Sequence, residues 1–172
     1  MTSTALEVLI IQHPKEANHA KNTAKLVALS IPSTSIVNAH NVEAMTALSS
    51  RNDLATTLLV YPNDNSVPVE ALSETAKQDI STVILIDGSW KQAFGIVKQH
   101  PWLQALTSVH FASAPGSTYA IRHTSLSHAL STLEATAYSL ATLDNAEVSA
   151  LYKLQGAMQA QWQGPKGHLR SI

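Results

Sequence analysis

Val83-Ile84-Leu85-Ile86-Asp87-Gly88-Ser89-Trp90 is the stretch on which the fold turns. Four apolar, β-favouring residues run straight into an acid, a glycine, a hydroxyl and an indole. A short apolar run closed by turn residues reads as a strand buried on both faces. Beyond it, Trp90, Ala93, Phe94 and Val97 recur at i, i+3, i+4 and i+7, which predicts a helix with that stripe turned to a core. A strand that feeds a helix through Asp-Gly-Ser presents its side chains at the carboxyl end of a sheet, where open α/β sheets bind ligands. Asp87 is therefore the first candidate for chemistry, since an acid at the mouth of an apolar strand is partly desolvated and suited to general-base duty. The ordinary alternative is that Asp87 or Ser89 caps the helix that follows.

Working outward, four more short runs read as strands: Leu6 to Gln12, Ser35 to Val37, Thr57 to Tyr61 and Ser108 to Ala112. Helical segments are expected at Lys15 to Leu29 (with Ala20, Ala24 and Val27 on one stripe and Leu26 beside it), Val42 to Ser49, Val69 to Ala76, from Pro101, from Ser131 to Leu143, and from Asn145 to Trp162 with Val148, Leu151, Met158 and Trp162 buried. Strands that alternate with helices predict an α/β fold with a mostly parallel sheet flanked by helices on both sides. One domain is expected across residues 1–172, with 163–172 as a loose tail.

Composition sets the outer limits. With 172 residues, 45% hydrophobic and 13% charged, the chain has the makings of a buried core and does not resemble a disordered segment. The absence of cysteine excludes disulfides and zinc–thiolate sites. No apolar run is long enough for a membrane span and no secretory signal is evident, so a cytoplasmic location is expected. The net charge of −1 hides an uneven distribution. Residues 88–133 carry Lys91, Lys98 and Arg122 without a single acid. A polyanion could meet such a face, and so could plain solvent. Neither a G-x-G-x-x-G turn, a P-loop, a G-x-S-x-G elbow nor a short histidine metal motif is present, and no metal is expected.

Three further constellations stand out. Ser131-Thr132-Leu133-Glu134 spells a capping box, and a helix start of this kind also offers amides and a positive dipole end to a carboxylate. Tyr119-Ala120-Ile121-Arg122-His123 sets an arginine beside an aromatic, suited to a phosphate or carboxylate and equally to a surface ion pair. Gln12-His13-Pro14-Lys15-Glu16, followed by Asn18, His19, Asn22 and Thr23, crowds polar groups where the first strand ends. There His13 is a candidate proton carrier or a structural histidine.

Together these pieces resemble one family. Gln12–Leu26, Leu58–Asp64 (LLVYPND), Val83–Ala93 (VILIDGSWKQA), Pro101-Trp102-Leu103, Tyr119–His123 and Leu130–Ala137 (LSTLEATA) are similar, in family order, to segments of the DTW-domain proteins. These are aminocarboxypropyltransferases acting on tRNA uridine and related to the SPOUT class. The resemblance implies transfer of the 3-amino-3-carboxypropyl group from S-adenosylmethionine to N3 of a uridine in tRNA, with methylthioadenosine released. It implies roles in catalysis for Asp87, Ser89 and Arg122, with Asp87 either removing or orienting the N3 proton. Tyr61, Pro62, Trp90, Ser131, Thr132 and Glu134 are implied to hold the donor. His13, Lys15, Glu16, Asn22, Tyr119, Arg122 and His123 are implied to meet the RNA. The SPOUT relation further implies a C-terminal trefoil knot, a rare feature in proteins generally.

The chain departs from the family pattern in two respects. Ser89 stands where the aspartate–any–threonine–tryptophan signature has threonine, keeping the hydroxyl. The cysteine-rich, metal-binding segment of many members finds no counterpart in a chain without cysteine. Rival expectations are methyl transfer by a SPOUT-type enzyme, aminocarboxypropyl transfer to ribosomal RNA, and a non-catalytic RNA- or nucleotide-binding module. No sequence patch specifies an oligomeric state.

Overall fold

A computed structural model describes residues 1–120 and 129–162. The elements run β1 (Glu7–Gln12), α1 (Ala24–Ser30), β2 (Thr34–Asn38), α2 (Val42–Ser49), β3 (Thr57–Val60), β4 (Val67–Pro68), α3 (Glu74–Gln78), β5 (Thr82–Asp87), α4 (Trp90–Gln99), α5 (Pro101–Gln104), β6 (Thr107–His110), α6 (Thr132–Asp144) and α7 (Ser149–Ala160). Among the described residues six strands form one sheet in the order β2-β1-β5-β3-β6-β4, and its ladders are all parallel. The five strands expected from sequence are all present. The two-residue β4 has too little pattern to be read in advance.

Because successive strand residues point to opposite faces, each strand feeds two cores. Val8, Ile10, Val83, Leu85, Leu58 and Val109 face one side and meet Ala24, Val27, Leu133, Ala137, Leu140 and Leu151 from α1, α6 and α7. Leu9, Ile11, Ile84 and Leu59 face the other and meet Met45, Ile96, Val97 and Leu103 from α2, α4 and α5. Burial on both faces explains the unbroken apolar runs of β1 and β5. At the amino edge of the sheet, Arg51 bridges Glu7 at 2.5 Å and Asp53 at 2.6 Å, leaving the carboxyl edge for chemistry.

Four expectations need correction. The helix expected over Lys15 to Leu29 is confined to Ala24–Ser30. Residues 13–22 instead wind through turns in which the amides of Glu16, His19 and Asn22 donate to the carbonyls of His13, Glu16 and His19. Side chains cause this: His13 and His19 accept through Nδ1 from the amides of Lys15 and Lys21, and Asn22 accepts from that of Ala24. Such local bonds compete with the helical ladder, and Ala20 is left exposed. The helix expected over Val69 to Ala76 divides into a 3-10 turn and α3, because Ser73 accepts from the amide of Ala76 and starts a new helix. On α4 the buried residues are Ala93, Ile96 and Val97, while Trp90 is 50% exposed and Phe94 61%. The predicted stripe is thus rotated by about one residue. Finally, α7 begins at Ser149 rather than Asn145, which closes α6 in the left-handed conformation with φ 48°, a role asparagine fills well. On α7, Leu151 and Gln155 are the buried residues, and Met158 and Trp162 are half-buried against Tyr119 and Lys21. Among the described residues no helix is long and apolar enough to cross a membrane.

Candidate active site

At the carboxyl edge, Asn38, Gln12 and Asp87 end β2, β1 and β5 in register. Gln12 and Asp87 continue the alternation of Val8, Ile10, Val83 and Leu85, so both side chains lie on the α1 and α6 side. There Asp87 is 2% exposed. Its Oδ2 accepts from Gln12 Nε2 at 2.9 Å and Asn22 Nδ2 at 3.0 Å, and its Oδ1 accepts from the Thr132 hydroxyl at 2.6 Å. Its backbone carbonyl accepts from the amide of His13 at 2.9 Å. A buried carboxylate needs such donors to stay buried. In meeting that need it joins β1, β5, the 13–22 turns and the start of α6. A second tie runs beside it, from the amide of Leu133 to the Thr23 hydroxyl at 3.1 Å.

The start of α6 forms the capping box that its sequence spells, with Ser131 accepting from the amide of Glu134 and Glu134 from that of Ser131. The Glu134 carboxylate does far more than cap. It also accepts from the Ser117 hydroxyl at 2.7 Å, the Thr118 amide at 2.7 Å and Gln155 Nε2 at 3.0 Å, and is 2% exposed. Burial pushes its acidity toward the neutral form, but the donors from Ser131, Ser117, Gln155 and Thr118 outweigh that and hold it below the usual 4.5. Ser131 completes the cluster by donating to Gln155 Oε1 at 2.6 Å. Alongside lies a shallow hollow lined by Pro115, Thr118, Leu130, Tyr138 and Tyr152, with the buried Glu134 beneath.

On the other side of Asp87, the helix cap is Ser89, in a reciprocal box with Gln92, so Asp87 is free of capping duty. Gly88 is needed for closeness: a Cβ there would stand 3.0 Å from Gln92 Oε1, 3.1 Å from Gln92 Cβ and 3.4 Å from His13 Cβ. Gly88→Ala is expected to displace Gln92 and lose its half of the cap, costing about 1 kcal/mol and lowering Tm by about 2–4 °C. An unchanged melting curve would mean that the side chain moves without penalty. His13 packs edge-to-face on His40 with ring centroids 5.2 Å apart. Burial, with His40 and Lys15 nearby, keeps its basicity below the usual 6.5. A neutral His13 that accepts at Nδ1 from the Lys15 amide carries its proton on Nε2.

Of the residues singled out from sequence, the structure thus gathers Asp87, Asn22 and Thr132 directly, with Ser131 and Glu134 adjoining and His13 and Ser89 flanking Gly88. Glu16 is buried in the 13–22 turns and Lys15 is exposed. Tyr119 is buried, its hydroxyl donating to the carbonyl of Lys21, so it holds those turns from beneath. The structure does not bring the remaining donor candidates to this cluster. Tyr61 follows β3 on the opposite face and packs in the α2–α4–α5 core, Pro62 is exposed, and Trp90 projects into solvent. Arg122 and His123 lie outside the described residues. Ser117, Thr118 and Gln155 are the members that sequence reasoning missed, because they come from other elements without a periodic signal. Gln12 and Thr23 stood in the polar constellation at the end of the first strand without a role of their own.

A polar hub on the carboxyl edge of a parallel sheet, built from a strand-end aspartate and two capped helix starts, marks the chain as a single-domain α/β protein with its polar cluster where such sheets carry their sites. The family model for the DTW domain matches residues 1–163, and the chain belongs to the DTW-domain family. A Drosophila melanogaster protein named tRNA-uridine aminocarboxypropyltransferase 2 is 34% identical over 144 residues, covering 81% of this chain and 57% of that one. Proteins of the same name from Macaca fascicularis and Mus musculus are 31% and 30% identical over 139 residues, 78% of this chain and 47% of each. The chain thus spans about half the length of the curated relatives it matches. No solved structure matches it.

Proposed function

We propose that this chain transfers the 3-amino-3-carboxypropyl group of S-adenosylmethionine to N3 of a uridine in tRNA. The observation that carries the reading is the family signature in its folded form: Asp87 sits on the carboxyl edge, bonded at 2.6 Å to Thr132 at the start of α6. The names of the relatives point the same way. In the reaction the N3–Cγ bond forms as the Cγ–S bond breaks. The electron pair passes to sulfur, neutral methylthioadenosine leaves, and the N3 proton is released to solvent.

The chain's own residues supply position and polarity. Neither role considered for Asp87, removing or orienting the N3 proton, fits its three donors and its burial: it is instead a positioning residue that fixes Thr132 and the α6 start. The hollow beside Glu134, about 100 Å³, is sized for one part of the donor: it offers the rings of Tyr138 and Tyr152 to an adenine or a sulfonium, and the charge of the buried Glu134 beneath it is opposite to that of the sulfonium. His13, with its proton on Nε2, is suited to donate to a uracil carbonyl and so spread the charge left as N3 loses its proton. The SPOUT kinship and its knot belong to this proposal.

The deciding experiment incubates the full chain with S-adenosylmethionine and unmodified tRNA, then weighs the nucleosides. Uridine heavier by one aminocarboxypropyl group is the expected product. A methyl gain instead, or no product although the donor binds, overturns the proposal.

A further inference from the structure

Trp90 and Phe94 are the two exposed aromatic residues among those described, and both stand on α4. They are one helical turn apart, about 5–6 Å between Cβ atoms. Lys91 and Lys98, also exposed and seven positions apart, form the adjoining row. The buried row of the same helix is Ala93, Ile96 and Val97, so aromatics and lysines share its outer side. α4 contains no acid and starts directly after Asp87-Gly88-Ser89, beside His13. A lone exposed apolar side chain is ordinary. Two aromatics in one stripe with lysines beside them and no acid among them match a recognised chemistry, flat rings for bases and cations for the phosphates between them. Self-association fits less well, because a two-fold contact through this face would set each copy's lysines against those of the other.

The geometry points to the outer face of α4 as a docking surface for single-stranded RNA, with Trp90 and Phe94 stacking on bases that flank the acceptor uridine and Lys91 and Lys98 meeting the phosphates. The inference rests on the proposed reaction for the identity of the acceptor; the surface itself is read from α4.

The test titrates the full chain with a labelled, uridine-containing single-stranded RNA at several salt concentrations, reading anisotropy together with tryptophan fluorescence. Quenching that is lost in Trp90→Phe is expected. Phe94→Ala should weaken binding about 5- to 100-fold. The double variant Lys91→Gln, Lys98→Gln should lower the slope of log affinity against log salt by about 1.4. Each variant should keep the parent's Tm and its calorimetric affinity for S-adenosylmethionine. Affinity and slope equal to the parent's overturn the inference. So does a Phe94→Glu variant that turns a sedimenting dimer into a monomer while RNA affinity holds, which would make the face a self-interface. If the parent modifies tRNA and the surface variants do so equally well, this inference alone falls. If they lose RNA affinity although the parent transfers nothing, the proposed reaction falls and the surface stands.

Discussion

Asp87→Asn is expected to fold, to melt a few degrees below the parent and to keep at least about a tenth of its turnover, whereas Asp87→Ala is expected to lose about 3–5 kcal/mol of stability. The difference lies in what each oxygen accepts. Oδ2 takes two amide donors, Gln12 Nε2 and Asn22 Nδ2, while Oδ1 takes only the Thr132 hydroxyl. An asparagine can place its oxygen toward the two amides and its NH2 toward Thr132, because a hydroxyl can turn from donor to acceptor. What is lost is the strength that charge lends to three hydrogen bonds. Alanine strands three buried donors at once. If Asp87 were instead the base that takes the N3 proton, Asp87→Asn would cost about 10²–10⁴-fold in turnover with little change in melting. Denaturant unfolding and single-turnover rates over a pH series separate the two. A deep loss of turnover in a stable Asp87→Asn protein that still binds the donor would refute the positioning role.

Asp87 also shows which features were legible in the sequence. The period-2 and continuous apolar patterns are local, so β1, β3, β5 and β6 could be read from them, and Ser131-x-x-Glu134 announced its capping box. The rotated stripe on α4 shows where pattern gives out. Trp90 and Phe94 fit a buried face by spacing, but Ile96 gives a competing row, and only the position of α4 over Leu9, Ile11 and Ile84 selects between them. The 13–22 turns were hidden for another reason: alanines and lysines there favour helix, yet His13, His19 and Asn22 bond their own backbone. At the candidate site, Asp87 could be named because it ends a strand. Its partners Gln12 and Asn22, from one segment, and Thr132, from another, lie far from it in the chain and meet it only through the β1–β5 pairing and the crossover to α6. Gln155 reaches Glu134 from yet another helix, which no spacing encodes.

Glu134→Gln should be the more damaging amide substitution, by about 2–4 kcal/mol, although it replaces a capping residue with another common in that position. Oε2 accepts from the Ser131 amide and the Ser117 hydroxyl, and Oε1 from the Thr118 amide, the Thr118 hydroxyl and Gln155 Nε2. Each oxygen thus faces a backbone N–H, which cannot turn round as a hydroxyl can. A glutamine NH2 therefore meets a donor in either orientation, and one bond becomes a repulsion in a buried place. The pH dependence follows from the same donors. They hold the folded carboxyl below 4.5, so the stability they contribute is fully present above that value and is lost as pH falls through the lower, folded one. The gap between parent and Glu134→Gln, read as denaturant midpoints from pH 7 down to about pH 3, should narrow across that acid range as the parent's carboxylate takes up its proton. A gap that stays constant down to pH 3 would mean that the charge on Glu134 contributes nothing and that shape alone explains the loss. The 115–118 loop should loosen in step with the stability, because Ser117 and Thr118 are tied to α6 through this carboxylate. Hydrogen exchange at the Thr118 amide should accordingly rise in Glu134→Gln, and with it the hollow proposed for the donor should lose its shape and its affinity for S-adenosylmethionine.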